Sequence, residues 1–362
     1  MNLKNLDKDM IKKLGIILGS IVAIFVIFVF VKLIIGSRIE YSEVESRMII
    51  AAKNYYKSNA DKLPTVSGGK VSVSADTLIE NGFLKDLTKL VKDKDAKCTG
   101  EVTVTNNNDL LFYSASLNCG KYYETRKLKN VLTENVVTSG NGIYNINGEY
   151  IFRGDNVNNF ITFADRLWRI IKINDDGSIR IIDVTNYYET SWDDRYNSDL
   201  ENYEGINDYR VSRLKEKLEE VYNNGELTDD QKSLIVNKNL CVGKRSIDET
   251  NNSGSVECSD VVENQPLLLP QPNEFALASL DSKCSKPSDP KCTNYNYMAD
   301  LKHSTWSAIA DSETSYKAFK INKSVFLSRT NNYSYITLVT TINPNVNYVS
   351  GDGTENNPYT FK

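Results

Sequence analysis

The feature that most constrains this chain is an apolar run from Leu14 to Gly36, in which Lys32 is the only charged residue. A run of this length forms a helix that crosses a bilayer core of about 30 Å. Apolar side chains occupy every face of that helix, which is not the pattern of a half-exposed surface helix. We therefore expect residues 14–36 to be a transmembrane anchor, with the lipid bilayer as their partner.

The residues on either side of the run predict whether it is cleaved and which end of it faces the cytoplasm. Residues 32–36 do not supply a clean small-x-small cleavage site, which favours a retained anchor over a signal peptide. Lysines crowd the segment before the run, and the positive-inside rule keeps such a segment in the cytoplasm. These lysines are Lys4, Lys8, Lys12 and Lys13. We expect residues 1–13 to be a basic cytoplasmic leader and the C-terminal bulk of this single-pass protein to be extracellular.

Cysteine usage supports an extracellular location, because all six cysteines follow the apolar run. Disulfides persist in oxidising compartments, although reduced buried thiols are the alternative. A metal site is disfavoured, since the chain has no CxxC pair and its single histidine, His303, stands alone. Six cysteines allow fifteen pairings. The simplest pairing joins neighbours in sequence: Cys98–Cys119, Cys241–Cys258 and Cys284–Cys292.

The charge of the exterior portion argues against nucleic acid as a partner. Residues 1–38 carry six basic and two acidic side chains, which leaves 37 basic and 45 acidic residues and a net charge of −8 beyond them. Such a surface repels phosphates. The chain also has 21 tyrosines, which suit an extracellular binding surface but also reflect compositional bias.

The first exterior segment, residues 37–127, predicts helices followed by a hairpin. An apolar stripe from Ile39 to Tyr56 predicts a helix, and Ser74 begins a second, short helix that ends at Asn81-Gly82. Two β-rich runs then flank a turn centred on Asn108-Asp109. In that register Cys98 lies opposite Cys119, so a disulfide would close the open end of the hairpin.

A membrane helix that continues into an amphipathic helix, followed by a small sheet with a disulfide near its end, resembles type IV pilins and pseudopilins. The resemblance covers 14–127 and implies a pilin-like fold with self-association through the N-terminal helix. One motif departs from the family. Prepilins have a glycine before the cleavage point and a glutamate five positions after it, whereas here Gly15 is followed by Ile16 and the fifth position is Ser20. The chain therefore lacks a good prepilin cleavage motif.

Turn signals in residues 128–149 predict a linker, and residues 150–362 predict a second exterior domain. That domain begins with three short strands between Tyr150 and Asp183, the last two joined across Asp176-Gly177. Helices are predicted around Leu218, after a capping box at Thr228, and from Pro272. A strand is predicted at 267–269 and further strands near 325–328 and 335–339. This order of elements predicts an α+β fold.

Landmarks in the second domain resemble a family of uncharacterised cell-surface domains of Firmicutes. They are an opening Gly-Asp-Asn…Asn-Phe…Trp-Arg-Ile-Ile segment from Gly154 to Ile171, a tryptophan at Trp192, a helix start within 268–278, and a closing Gly-Asp-Gly-Thr-x-x-Asn-Pro-Tyr segment from Gly351 to Tyr359. The resemblance implies a layout distantly similar to C-type lectins.

The sequence does not predict an enzyme. A histidine-based triad has only His303 to draw on, and no Gly-x-Ser-x-Gly or Ser-x-x-Lys motif accompanies it. His303 beside Trp306 is more typical of a structural residue. A cysteine nucleophile is disfavoured because the cysteines are expected to form disulfides.

Three groups of residues are candidates for ligand binding, and each has a simpler structural explanation. Gln271-Pro272-Asn273 and Glu274 resemble the calcium- and sugar-binding tripeptide of C-type lectins, but they also suit helix capping. Asp193-Asp194 and Asp352-Gly353 suit calcium or ordinary turns. The tryptophans suit a sugar platform or core packing. They are Trp168, Trp192 and Trp306.

The sequence thus predicts a membrane-anchored cell-surface protein with a non-enzymatic binding or adhesion domain for a glycan or protein ligand. No cofactor is expected, apart from the weak indication of calcium. A pseudopilin-like component of a secretion or pilus apparatus is the first alternative. An extracytoplasmic enzyme that acts on cell wall or glycan is the second, and it would require paired carboxylates in a cleft.

Overall fold

The computed structural model describes residues 38–185 and 187–362. The predicted leader, residues 1–13, and the predicted anchor, residues 14–36, lie outside the described residues. Within the described ranges, no helix combines the length and the apolar character needed to cross a membrane.

The described chain has an α+β fold that is mostly sheet and contains three disulfides. The helices are α1 (Tyr41–Lys57), α2 (Ala75–Glu80), α3 (Leu87–Leu90), α4 (Leu128–Leu132), α5 (Arg213–Asn223), α6 (Asp229–Ser233) and α7 (Pro272–Ala278). Short 3-10 helices lie at Ala60–Lys62, Gly120–Tyr122, Tyr209–Val211, Glu257–Ser259, Pro290–Thr293 and Tyr297–Asp300. The strands are β1 (Lys70–Ser74), β2 (Thr99–Asn107), β3 (Leu110–Asn118), β4 (Gly142–Ile146), β5 (Glu149–Arg153), β6 (Phe160–Phe163), β7 (Arg166–Ile173), β8 (Ile179–Asp183), β9 (Tyr188–Ser191), β10 (Lys238–Cys241), β11 (Lys244–Arg245), β12 (Val261–Gln265), β13 (Thr305–Asp311), β14 (Lys317–Ile321), β15 (Val325–Arg329), β16 (Tyr333–Ile336), β17 (Val339–Ile342), β18 (Tyr348–Ser350) and β19 (Thr360–Phe361).

The described residues divide into two compact units. The first comprises 38–63, Ser72–Thr103 and Ala115–Glu124. The second comprises Pro64–Val71, Val104–Ser114 and Thr125–Lys362. The division is not a single cut along the sequence, because the tip of the β2–β3 hairpin belongs to the second unit.

The first unit is built on α1, whose apolar stripe is buried as its 3.6-residue period predicts. Val44, Met48 and Tyr56 are among its buried residues. The predicted second helix is confirmed: Ser74 caps α2 by accepting a hydrogen bond from the Thr77 N–H, and Gly82 follows it with a φ of +77°.

The hairpin between β2 and β3 has the predicted turn. Asn108 and Asp109 have φ values of +51° and +68°, as a two-residue type I′ turn requires. Cys98 and Cys119 form a disulfide with their Cα atoms 4.1 Å apart. The other two predicted disulfides, Cys241–Cys258 and Cys284–Cys292, are also present.

The second unit contains two six-stranded sheets. One has the order β17-β8-β7-β5-β4, with β6 paired to β7. The other has the order β15-β14-β13-β16-β9, with β11 paired to β13. The pairs β10–β12 and β18–β19 are separate. A continuous apolar core takes side chains from both large sheets and from α5 and α7, including Ile181, Leu214, Phe275, Phe319 and Val339.

The segment predicted as a linker, residues 128–149, is instead ordered structure. It contains α4 and β4, and Leu128 and Ile143 are buried. Asn147 and Gly148, with φ values of +53° and +92°, form the tight turn between β4 and β5. The loop prediction failed because Asn145 to Gly148 were all taken as turn residues, although Asn145 and Ile146 belong to β4.

Three strand predictions also needed correction, whereas the helix starts were correct. The run after Tyr150 forms two strands, β5 and β6, rather than one. The predicted strand 267–269 makes only an isolated bridge, between Leu268 and Val339. The run 335–339 is divided between β16 and β17. The predicted capping box of Thr228 and Gln231 is present at α6.

Candidate functional site

A polar cleft of about 510 Å³ lies over one face of the first large sheet. Its floor is formed by Lys172, Arg180 and Thr341, which are neighbours across β7, β8 and β17 in the antiparallel register. The start of α7 and the Cys241–Cys258 disulfide line it as well. This polar floor stands out, because sheet faces that point inward are normally apolar.

The cleft is organised by the ion pair between Arg180 and Glu274. The guanidinium Nε lies 2.5 Å from a carboxylate oxygen, and the side chains are 7% and 5% exposed. A terminal nitrogen of Arg180 also donates to the carbonyl oxygen of Leu269. Glu274 in turn accepts the backbone N–H of Gln271 as part of a helix capping box. The pair therefore fixes the start of α7 over β8.

A second cavity of about 350 Å³ adjoins the first and shares Gln271 and Glu274 with it. Beside it, the fully buried Glu257 accepts hydrogen bonds from Arg245 and from the backbone N–H of Asn273. Burial raises the pKa of Glu257 in spite of the nearby Arg245 guanidinium. The side-chain oxygen of Asn273 is buried without a hydrogen-bond partner in the described part of the chain.

Two further charged groups of the cleft, Lys172 and Lys238, are also paired, whereas Asp175 forms no ion pair within the described ranges. Lys172 lies 2.6 Å from Glu149, and Lys238 lies 2.5 Å from Asp176. Burial favours the neutral form of Asp176, but hydrogen bonds from Lys238 and Ser178 outweigh it and lower the pKa of this carboxyl. The cleft thus offers hydrogen-bond donors and acceptors with little net charge.

One hydroxyl at the cleft floor lacks a protein partner. The Thr341 side-chain oxygen is buried and has no hydrogen-bond partner among the described residues. Asparagines surround the same space: Asn174, Asn237 and Asn239. Amides and hydroxyls in a concave site recognise polar, uncharged ligands through directional hydrogen bonds.

The predicted tryptophan platform is not on the surface. Trp168, Trp192 and Trp306 are 2%, 0% and 0% exposed. The ring N–H groups of Trp168 and Trp192 donate to the carbonyl oxygens of Phe163 and Ser307. All three rings therefore belong to the core, and they cannot stack on a ligand.

Of the two other predicted ligand residues, Glu274 lines the cleft and the adjoining cavity, and Asn273 lines the adjoining cavity only. They are 7% and 5% exposed, and both belong to the first turn of α7. Glu274 acts as a capping residue and as the partner of Arg180. Sequence reasoning recognised the helix cap but missed Arg180, Lys172 and Thr341, because no local pattern marks a polar side chain on a buried strand.

The acidic pairs suggested for calcium are engaged in local structure. Asp193 accepts hydrogen bonds from Arg195 and from the Ile206 N–H. Asp352 accepts from the backbone and side chain of Thr354, as in an ordinary turn. Among the described residues, histidines, cysteines and carboxylates do not gather into a group of three that could hold a metal ion.

His303 packs against aromatic rings. Its ring stacks on Tyr335 with a centroid distance of 4.1 Å and meets Tyr187 edge-on at 4.6 Å. This packing is the structural role that the sequence favoured for it.

Comparisons of the chain with family models, with curated proteins and with solved structures found no match.

Proposed function

We propose that this chain is a membrane-anchored cell-surface protein whose second unit binds a neutral, hydroxyl-rich ligand such as a glycan, without catalysis. The observation that carries the proposal is the cleft over β7, β8 and β17, in which Lys172, Arg180, Lys238 and Glu274 are all in ion pairs while hydroxyl and amide groups line the space. The apolar run 14–36 would hold the protein in the membrane.

The disulfides support an exterior location for both units. Cys98–Cys119 lies in the first unit, and Cys241–Cys258 and Cys284–Cys292 lie in the second. Structural disulfides of this kind form outside the reducing cytosol. The Cys241–Cys258 disulfide also lines the cleft, so oxidation shapes the proposed site as well as the fold.

The chemistry of the cleft supports a neutral ligand over a charged one. A charged ligand would have to compete with the existing ion pairs, among them the buried pair of Arg180 and Glu274. A sugar hydroxyl both donates and accepts a hydrogen bond, so it can join paired side chains without a change in charge. The buried Thr341 hydroxyl at the floor has no partner among the described residues, so a ligand that displaces its cover would complete its hydrogen bonding.

The test is glycan binding by the full chain, purified in detergent under oxidising conditions. We expect saturable binding that is weakened by Thr341→Val, which removes the hydroxyl and keeps the shape. The matched control is Thr337→Val, since Thr337 is also buried with an unpaired hydroxyl but does not line the cleft. Equal affinity of the two variants, or no binding by the folded wild type, would overturn the proposal.

The second candidate function is assembly through the N-terminal helix, as in a pseudopilin. The observation that favours it is the first unit, where α1 is followed by a hairpin closed by Cys98–Cys119. This function predicts cross-links between copies through residues 14–36 in intact membranes. Cross-linking between cysteines introduced at Ser20 would test it, and a monomeric pattern would exclude it.

A further inference from the structure

A third cavity, of about 360 Å³, contains a buried arginine that points to a charged ligand group. Arg169 lies on β7 and is 9% exposed. Phe160, Tyr187 and Asp300 also line the cavity. A volume of this size falls within the range of about 300–1,000 Å³ that is typical of small-molecule sites.

The Arg169 guanidinium is held in one orientation. It lies between two rings, 4.4 Å from the centroid of Phe160 and 4.6 Å from that of Tyr297. Its Nε donates to the side-chain oxygen of Asn159 at 2.8 Å. Asn159 is fully buried and donates to the carbonyl oxygen of Ile170. The aromatic sandwich and this hydrogen bond leave the two terminal amino groups to face the cavity.

Those terminal groups have no protein acceptor. Within residues 38–185 and 187–362, neither terminal nitrogen of Arg169 makes a hydrogen bond, and no carboxylate forms an ion pair with it. Burial lowers the pKa of Arg169, but an arginine side chain remains protonated in proteins. The carboxylates of Asp300 and Glu355 act on this cation electrostatically but do not accept a hydrogen bond from it. Guanidinium N–H groups without an acceptor are costly when buried. The site therefore lacks an acceptor for these N–H groups.

Two of the segments that build this site are distant in sequence and bonded to each other. Asn159, Phe160 and Arg169 belong to the opening segment 154–171, and Glu355 at the cavity belongs to the closing segment 351–359. The segments are joined by hydrogen bonds from the Phe160 N–H to the Gly353 oxygen and from the Tyr359 N–H to the Phe160 oxygen. Backbone hydrogen bonds between these segments thus hold this part of the cavity wall in place.

The geometry of a guanidinium and the charges around it select the ligand. Its terminal N–H groups match the two oxygens of a carboxylate in a bidentate arrangement. Asp300 and Glu355 are exposed carboxylates at the cavity, and Lys302 is an exposed cation there. The two acids disfavour a doubly charged phosphate, and they can accept hydrogen bonds from hydroxyls or from an ammonium group.

We propose that Arg169 binds the carboxylate of a small ligand, carried by an acidic sugar or by a free α-amino acid. This site is separate from the neutral cleft over β8, so it stands whether or not that cleft binds a glycan. The ligand carboxylate would supply the missing hydrogen-bond acceptors, and Phe160 and Leu167 would provide apolar contacts beside it.

The test is calorimetric titration of the full chain in detergent. D-Glucuronate is compared with D-glucose, which has no carboxylate, and L-alanine is compared with L-alaninamide, in which the carboxylate is replaced by an amide. We expect at least one carboxylate to bind and its counterpart to bind at least about tenfold more weakly, as the loss of a charged hydrogen-bond pair predicts. Arg169→Met should weaken carboxylate binding by at least about tenfold. Arg169→Lys should restore part of it.

A double variant at two exposed residues keeps the test valid if Arg169→Met does not fold. For Asp300→Asn with Glu355→Gln, the affinity for glucuronate should rise, because two negative charges are removed. The affinity for alanine should fall, because its ammonium group loses its partners, so the two ligand sources give opposite results. The proposal is overturned if neither carboxylate binds the folded wild type, or if these changes leave the affinity of the bound carboxylate unaltered.

Discussion

The Arg180 guanidinium and the Glu274 carboxylate are in direct contact, with Nε and Oε1 2.5 Å apart, although the two residues are 94 positions apart in the sequence. Both side chains are almost fully buried. The contact joins the strand at the cleft floor to the first turn of α7. It is therefore a structural link as well as part of the proposed binding site.

Glu274→Gln tests the charge of this pair, because glutamine keeps the acceptor that caps α7. We expect the free energy of unfolding to fall by about 3 kcal/mol, since the change leaves the Arg180 cation buried without a counter-charge. Urea unfolding followed by circular dichroism measures it. As a control, Glu216→Gln removes the exposed pair with Arg213 and should change stability by less than about 0.5 kcal/mol. Equal effects of the two changes would contradict the prediction.

The sequence predicted the position of Glu274 at a helix start but not its contact with Arg180. Gln271-Pro272-Asn273-Glu274 indicates a helix start from local chemistry alone, and the structure confirms the capping box. Arg180 could not be found, because it lies in a run of residues that reads as a buried strand, and its partner is supplied by the tertiary fold. Local rules predict helix ends, whereas long-range pairing depends on the packing of whole elements.

The Cys98–Cys119 disulfide should stabilise the first unit. Replacing both cysteines with serine removes a cross-link over 21 residues, and the chain-entropy estimate for such a loop is about 3 kcal/mol. Thermal unfolding of the variant in detergent measures the loss. A matched variant, Cys284→Ser with Cys292→Ser, opens a loop of only 8 residues in the second unit and should cost about 2.5 kcal/mol.

Thiol labelling of the unfolded protein provides an independent check on the disulfides. With all six cysteines paired, an alkylating reagent should modify none of them before reduction and all of them afterwards. Labelling of any cysteine in the unreduced protein from an oxidising compartment would show that the corresponding disulfide does not form.

The pKa of Asp176 should depend on Lys238. In the folded protein it lies below the ordinary value of 3.8, so the stabilisation from this carboxylate is present above that value and is lost as the pH falls through the lowered pKa. Lys238→Met removes one of the groups that lower it, and the pKa of Asp176 should rise. Carboxyl NMR titration measures the pKa. An unchanged value would show that the pairing does not persist in solution.

Gly353 should be intolerant of a side chain. Its φ is +79°, and an added Cβ would lie 2.4 Å from the Asn158 carbonyl oxygen. Gly353→Ala should therefore cost more than the roughly 1–3 kcal/mol of a strained φ alone. Gly148→Ala is the matched control, because its φ is +92° but nothing lies within 4 Å of the added atom. Chemical denaturation of the two variants should show the larger loss at Gly353.

The tryptophans show where composition misled the site prediction. Trp168, Trp192 and Trp306 were considered for a sugar platform, but each ring fills the core. A large aromatic side chain removes much apolar area from water, so burial is its usual outcome. Arg169 lies directly after Trp168 in the sequence, yet nothing in a single sequence separates a buried, unpaired arginine from one on the surface.

The two ends of Thr125–Lys362, the longest stretch of the second unit, are bonded to the same short segment. The Tyr348 N–H donates to the Arg126 oxygen and the Leu128 N–H to the Val346 oxygen, while Lys362 and Asn347 exchange a pair of backbone hydrogen bonds. A domain fused to Lys362 would begin close to where the chain enters this stretch. If the chain is pulled between Arg126 and Lys362, the load passes first through these backbone hydrogen bonds. The sheets between those two residues would carry no tension until the hydrogen bonds break.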